Sequence, residues 1–147
     1  MNDDQQLYWN PMVPELTVTD FAVSLHFYTV MLGFDVRIQR QHPDFAYLCY
    51  GQAQLMIEQC HPQGWNTADL NWPLGRGINF QIEVDDIEPV LARLQQHAVP
   101  LYRALRDNHY DTGGSVWYRT RTAICCASVN IWNKKEMIMM AVNTKGS

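Results

Sequence analysis

The chain has 147 residues, 47% of them hydrophobic, and a formal net charge of −4, which suits one domain or two small modules sharing a core. The charge argues against nucleic acid as a partner, because a phosphate-binding face needs clustered Lys and Arg, and is permissive for a cationic ligand. No apolar run approaches the roughly 20 residues of a membrane span. Met1 to Gln6 lacks the basic and apolar regions of a signal peptide, so a cytoplasmic location is expected.

In chain order, Leu7-Tyr8-Trp9-Asn10-Pro11 reads as a short lead-in packed by its aromatics. Leu16 and Val18 alternate with Glu15, Thr17 and Thr19, the pattern of a half-buried strand. Asp20 is placed to cap a helix whose apolar residues are Val23, Leu25, Phe27, Val30 and Met31, and Gly33 stops it. Strands are expected over Phe34 to Gln39, Phe45 to Tyr50 and Ala53 to Gln59, separated by turns at Gln41-His42-Pro43-Asp44 and Gly51-Gln52. A polar connection holding Trp65 and Trp72 runs to Gly75-Arg76-Gly77.

The unit then repeats. Phe80, Ile82 and Val84 alternate with Asn79, Gln81 and Glu83, and Asp85-Asp86 stand where Asp20 stood. A helix with Pro89 in its first turn follows, with Val90, Leu91, Leu94 and Ala98 as its apolar face and Pro100 at its end. Placing Val18 on Val84 also places Leu32-Gly33-Phe34 on Ala98-Val99-Pro100, so a duplicated half-chain unit is expected. Leu101 to Leu105 is the next strand and Asp107 to Gly114 a loop. The boundaries are about 8–60 for the first module, 61–77 for the linker, 78–132 for the second module and 133–147 for an atypical tail. Half-chain modules bury little surface alone and should pack together or against a second chain. Cys49, Cys60, Cys125 and Cys126 have no zinc-type spacing and read as reduced packing thiols.

Val13-Pro14-Glu15-Leu16, Phe27-Tyr28 with Leu32-Gly33-Phe34, Phe45-Ala46-Tyr47-Leu48, Gln54 to Gln59 and Gly75 to Phe80 together resemble the glyoxalase/bleomycin-resistance family of the vicinal oxygen chelate superfamily. The resemblance covers roughly residues 8 to 114. It implies an α+β fold of two βαβββ modules whose mixed sheet curls into a cup, in a homodimer with ligand clefts between modules.

The alternation agrees with a cup. Glu15, Thr17, Gln54, Met56, Glu58, Asn79, Gln81 and Glu83 fall on faces turned away from the helices, and Phe45 and Tyr47 join them when Ala46 and Leu48 face inward. Aromatic faces beside a few polar groups suit a small organic ligand. The candidate ligand-binding residues are therefore Phe45, Tyr47, Met56, Glu58, Asn79 and Gln81, with Trp65 near the mouth.

The resemblance implies metal ligands at four positions, which fall on Val13, Glu58, Asn79 and near Ala127. One carboxylate and a weak amide do not make a divalent-ion site, so neither metal nor other cofactor is expected. No nucleophile motif, phosphate loop or paired-carboxylate motif stands out, and no catalytic residue is assigned. The expected function is non-catalytic binding and sequestration of a small molecule, a bleomycin-like or other aromatic or cationic antibiotic. A metal-dependent lyase or dioxygenase of the same fold is the alternative, and a degenerate relative without ligand a third.

From Trp117 the text departs from the family pattern, which continues with a strand, an Asp-Pro-Asp-Gly turn and a final strand. Trp117 to Trp132 can be back-translated so that reading from one base earlier, with C as that base, yields LVQDPDGYLLRFGQHL, followed by one Glu codon and a stop. A one-base shift near Gly113 to Val116 accounts for this. It predicts strands built from Val116, Tyr118, Thr120, Ile124, Val129 and Ile131 but an altered cup edge, since Thr120 to Ala123 holds no turn residue. A Met-rich end follows, with Met137, Met139 and Met140.

Overall fold

The structure is a computed structural model and describes residues 8–71, 74, 78–99, 101–107, 114–118 and 128–133. Strand β1 (Glu15–Val18) leads into helix α1 (Phe21–His26), then β2 (Asp35–Arg40), β3 (Phe45–Tyr50) and β4 (Ala53–Gln59). The second unit runs β5 (Asn79–Val84), α2 (Glu88–Gln96), β6 (Leu101–Asp107), β7 (Gly114–Tyr118) and β8 (Ser128–Asn133). Each unit folds as βαβββ. The first sheet has the order β1-β4-β3-β2 and the second β5-β8-β7-β6. In both, the first strand lies parallel to the last and the other neighbours are antiparallel. The fold is α+β, a curled mixed sheet built of two like halves.

Side-chain alternation fixes which face is buried. Leu16, Val18, Ala46, Leu48, Leu55 and Ile57 point to the helices and join one core with Ile82, Val84, Ile87, Val90 and Leu94 of the second unit. Phe45 and Tyr47 are buried yet lie outside that core cluster, so they belong to the opposite face, as the alternation requires.

Asp20 caps α1, its Oδ1 accepting from the Val23 N–H at 3.0 Å. The helix then widens into a π-helical turn over Phe27–Met31, where the Leu32 N–H reaches back to the Phe27 carbonyl. The added residue per turn brings both Phe27 and Tyr28 inward. Val23 and Val30, expected on the apolar face, are each 42% exposed; Phe21 and Leu32 take their place. Gly33 stops the helix at φ +88°.

In the second unit Asp86 accepts from the Glu88 N–H at 3.1 Å. Val90 and Leu94 are buried as the periodicity requires. Ala98 is not on the apolar face: it is exposed and holds φ +50°, the left-handed position that ends the helix before Pro100. Strands β7 and β8 form where Val116, Tyr118, Val129 and Ile131 led them to be expected, and β8 sits inside the sheet, between β5 and β7. Thr120 to Ala123, Trp72, Arg76, Ala127 and the Met-rich end lie outside the described residues. Among the described residues no helix is long and apolar enough to cross a membrane.

Candidate ligand site

The face of the first sheet turned away from the core gathers Glu15 from β1, Phe45 and Tyr47 from β3, and Gln54, Met56 and Glu58 from β4. Strand pairing sets Phe45 opposite Glu58 and Tyr47 opposite Met56, while Glu15 lies beside Met56. Four of the sequence candidates, Phe45, Tyr47, Met56 and Glu58, thus share one patch. Gln81 lines a cleft of about 410 Å³ with Asn10, Val13, Gln54, Phe80 and Ile82, which meets the patch at Gln54. Asn79 enters β5 through its backbone, and Trp65 stands 88% exposed in the loop after β4.

Glu58 is buried, at 7% exposure, so its charge needs partners. His61 Nε2 lies 2.9 Å from Oε1 and Arg40 Nη2 3.6 Å from Oε2. The Arg40 guanidinium also lies over the Phe45 ring, 4.1 Å from its centroid. His61, in the loop after β4, is therefore part of the patch. Burial, and secondarily the charge of Glu58, raise the Glu15 carboxyl above the ordinary carboxylate range.

At the other end of the face the lead-in crosses the sheet. Gln54 Oε1 accepts from the Asn10 N–H at 2.9 Å and from the Tyr47 hydroxyl at 2.5 Å, while its Nε2 donates to the Tyr8 carbonyl at 2.8 Å. Trp9 meets Tyr47 edge to face at 4.9 Å. Arg37 stacks on the Trp9 ring at 3.6 Å and donates through Nη1 to the Tyr8 carbonyl at 2.6 Å. Burial raises the Tyr47 hydroxyl above its usual range, with Arg37 opposing the shift.

Sequence reasoning overlooked Trp9, Arg37 and Arg40. A β-bulge explains Arg37. Val36 pairs with Leu48 and Ile38 with Tyr47, leaving Arg37 as the extra residue between them. No turn residue or periodicity break marks that bulge in the text of β2. The one available signal was two arginines within a strand that also presents aliphatic residues.

Of the four positions at which the family resemblance implies metal ligands, the side chains of Val13 and Glu58 are described. Val13 is a hydrocarbon, and both oxygens of Glu58 already face His61 and Arg40. Among the described residues no group of three or more His, Cys, Asp or Glu converges on one point.

No protein-family model matches the chain, and no curated protein matches it. Solved structures do. A lactoylglutathione lyase from Agrobacterium tumefaciens superposes with TM-score 0.60 at 18% identity, over 86% of this chain and 96% of that one. The fosfomycin resistance protein FosX from Listeria monocytogenes does so with TM-score 0.56 at 12% identity, over 90% and 98%. Both share the fold. A Vibrio splendidus 12B01 protein, described as a glyoxalase/bleomycin resistance protein/dioxygenase superfamily member, is 31% identical over 83% of this chain and 97% of its own, with TM-score 0.37. This chain has the glyoxalase/bleomycin-resistance fold. Proteins of this fold thus include a lyase and a resistance protein, and the fold alone does not choose between such activities.

Proposed function

We propose that this protein belongs to the glyoxalase/bleomycin-resistance superfamily and binds and sequesters a small aromatic compound, of the kind represented by bleomycin-like and other aromatic antibiotics, without chemically changing it. The observation that carries this reading is the patch on the first sheet: Phe45 and Tyr47 are buried outside the core, beside a carboxylate already in contact with Arg40 and His61. A carboxylate held this way is suited to shaping a pocket rather than to holding a metal or moving a proton. Arg37 and Arg40 already cover aromatic faces, so a ligand cation would have to displace them; this favours the aromatic over the cationic part of the ligand.

The groove is proposed to consist of Phe45, Tyr47, Met56 and Glu58, with Trp65, Asn79 and Gln81 approaching it when the protein forms a homodimer. Light scattering on a sizing column is expected to give twice the chain mass. A calorimetric titration against bleomycin and a panel of aromatic antibiotics should identify a binder, which Tyr47→Ala weakens several-fold, since an aromatic hot spot is worth roughly 1–3 kcal/mol. Unchanged affinity across Tyr47, Trp65 and Glu58 variants would place the site elsewhere. Elemental analysis finding about one equivalent of a transition metal retained per chain would instead favour a metal-dependent lyase or dioxygenase.

A further inference from the structure

The bulge in β2 delivers Arg37 to the ligand face in an unfinished state. Its Nη1 is spoken for by the Tyr8 carbonyl and its planar face lies on Trp9, with the Tyr47 ring 5.7 Å away. The remaining donors, Nε and Nη2, are buried and have no hydrogen-bond acceptor among the described residues. Leaving buried charged donors unmet costs free energy, and such groups in folded proteins call for a ligand, ion or water. Nε–H and one Nη–H lie parallel along one edge of a guanidinium, the fork that accepts both oxygens of a carboxylate or phosphate at once. Bulges, moreover, recur where a side chain is re-aimed beside a binding site.

We propose that the Nε/Nη2 edge of Arg37 is an oxyanion-binding subsite, taking the carboxylate or phosphate group of an aromatic ligand whose ring lies among Trp9, Tyr47 and Phe45. This rests on the sequestration reading above and assigns its ligand class: anionic, although the whole chain carries net negative charge. Trp9 closes the subsite. The lead-in holds that ring in place through Asn10 and the Tyr8 carbonyl, contacts at the sheet's margin that a ligand can trade for its own, and Trp9 remains 47% exposed. The ligand enters as the lead-in lifts, and its oxygens meet the Nε and Nη2 donors.

The test uses the full chain with benzoate, phenyl phosphate and benzyltrimethylammonium as probes. It is read by calorimetry and by the ¹⁵N–¹H resonance of Arg37 Nε. Benzoate or phenyl phosphate is expected to bind saturably and shift that resonance, and Arg37→Gln to weaken binding roughly tenfold or more, the loss of a charged hydrogen bond. Arg37→Lys, which keeps the charge but not the fork, is expected to weaken it similarly and serves if Arg37→Gln does not fold. Binding of the anions that neither variant weakens overturns the subsite. Binding of the cationic probe alone, weakened by Tyr47→Ala but not by Arg37→Lys, overturns the subsite and leaves sequestration standing. No response to any probe or to the antibiotic panel overturns both.

Discussion

Glu15 is a residue whose charge the fold penalises. Its folded carboxyl sits above the ordinary value of 4.5, first through burial and then through Glu58. A raised carboxyl favours folding while it is protonated and loses that contribution as pH rises through its folded value. Glu15→Gln should therefore raise the melting temperature at pH 7, with the gain shrinking toward zero below pH 4.5, where Glu15 is protonated in both states; an equal gain at both pH values would dismiss the electrostatic cause. Ala98 illustrates backbone strain of a different kind. An alanine at φ +50° bears about 1–2 kcal/mol of left-handed strain, partly offset by the greater unfolded-state freedom glycine would bring. Ala98→Gly is expected to stabilise the protein by about 0.5–1 kcal/mol in urea denaturation. Neither effect could be read in advance, because the first depends on which strands become neighbours and the second on how a helix end is closed.

Between elements, the closest approach worth testing is Gly33 against α2. A Cβ on Gly33 would lie 2.6 Å from Arg93 Nη2, besides requiring φ +88°. That guanidinium donates to the Met31 and Leu32 carbonyls at 3.2 and 3.0 Å, using one unit's helix to satisfy the end of the other's. Gly33→Ala should cost about 2–4 kcal/mol, combining left-handed strain with a disturbed charged hydrogen bond. In an Arg93→Ala background the cost should fall toward the strain alone. Equal costs in both backgrounds would show that the two residues are uncoupled. Gly33 as the helix stop was legible from its position after Met31-Leu32. The strands at Phe45–Tyr50, Ala53–Gln59 and Asn79–Val84 were legible too, because alternation and flanking turn residues agreed there. The π-helical turn was not: Phe27-Tyr28 side by side admit either helical phase, and only the shared core that buries both decides. For the same reason the aromatic face was readable from Phe45 and Tyr47, whereas Arg37 became visible only with the bulge.

At the scale of the molecule, the second sheet repeats the first one's order although β8 and the end of β7 fall in the text after Trp117 that does not resemble the expected family ending. Pairing sets Phe80 beside Val129 and Ile82 beside Ile131, so β-branched residues suffice for a backbone ladder. We propose the one-base shift as the origin of this text. Sequencing the gene should find codons for Trp117 to Trp132 that are compatible with the shifted reading. A restored-frame variant ending in LVQDPDGYLLRFGQHL should melt at a higher temperature than this chain, since its turn residues fix the register. Equal or lower stability would indicate that the present text suits this sheet equally well.

The placement of β8 also has a consequence in time. In the order β5-β8-β7-β6, β5 has β8 as its neighbour in the sheet, and the pair spans Asn79–Ser128 to Val84–Asn133. During synthesis, the first sheet is complete once Gln59 has emerged, whereas β5 waits, its hydrogen-bonding edge bare, until residue 133 is made. A nascent chain at the intermediate stage carries a paired first sheet whose core still lacks Ile82, Val84, Val90 and Leu94, joined to a bare strand, the condition under which chains pair with their neighbours on the same message. Slow translation of codons 85 to 128 is then a hazard, and chaperone demand should peak there.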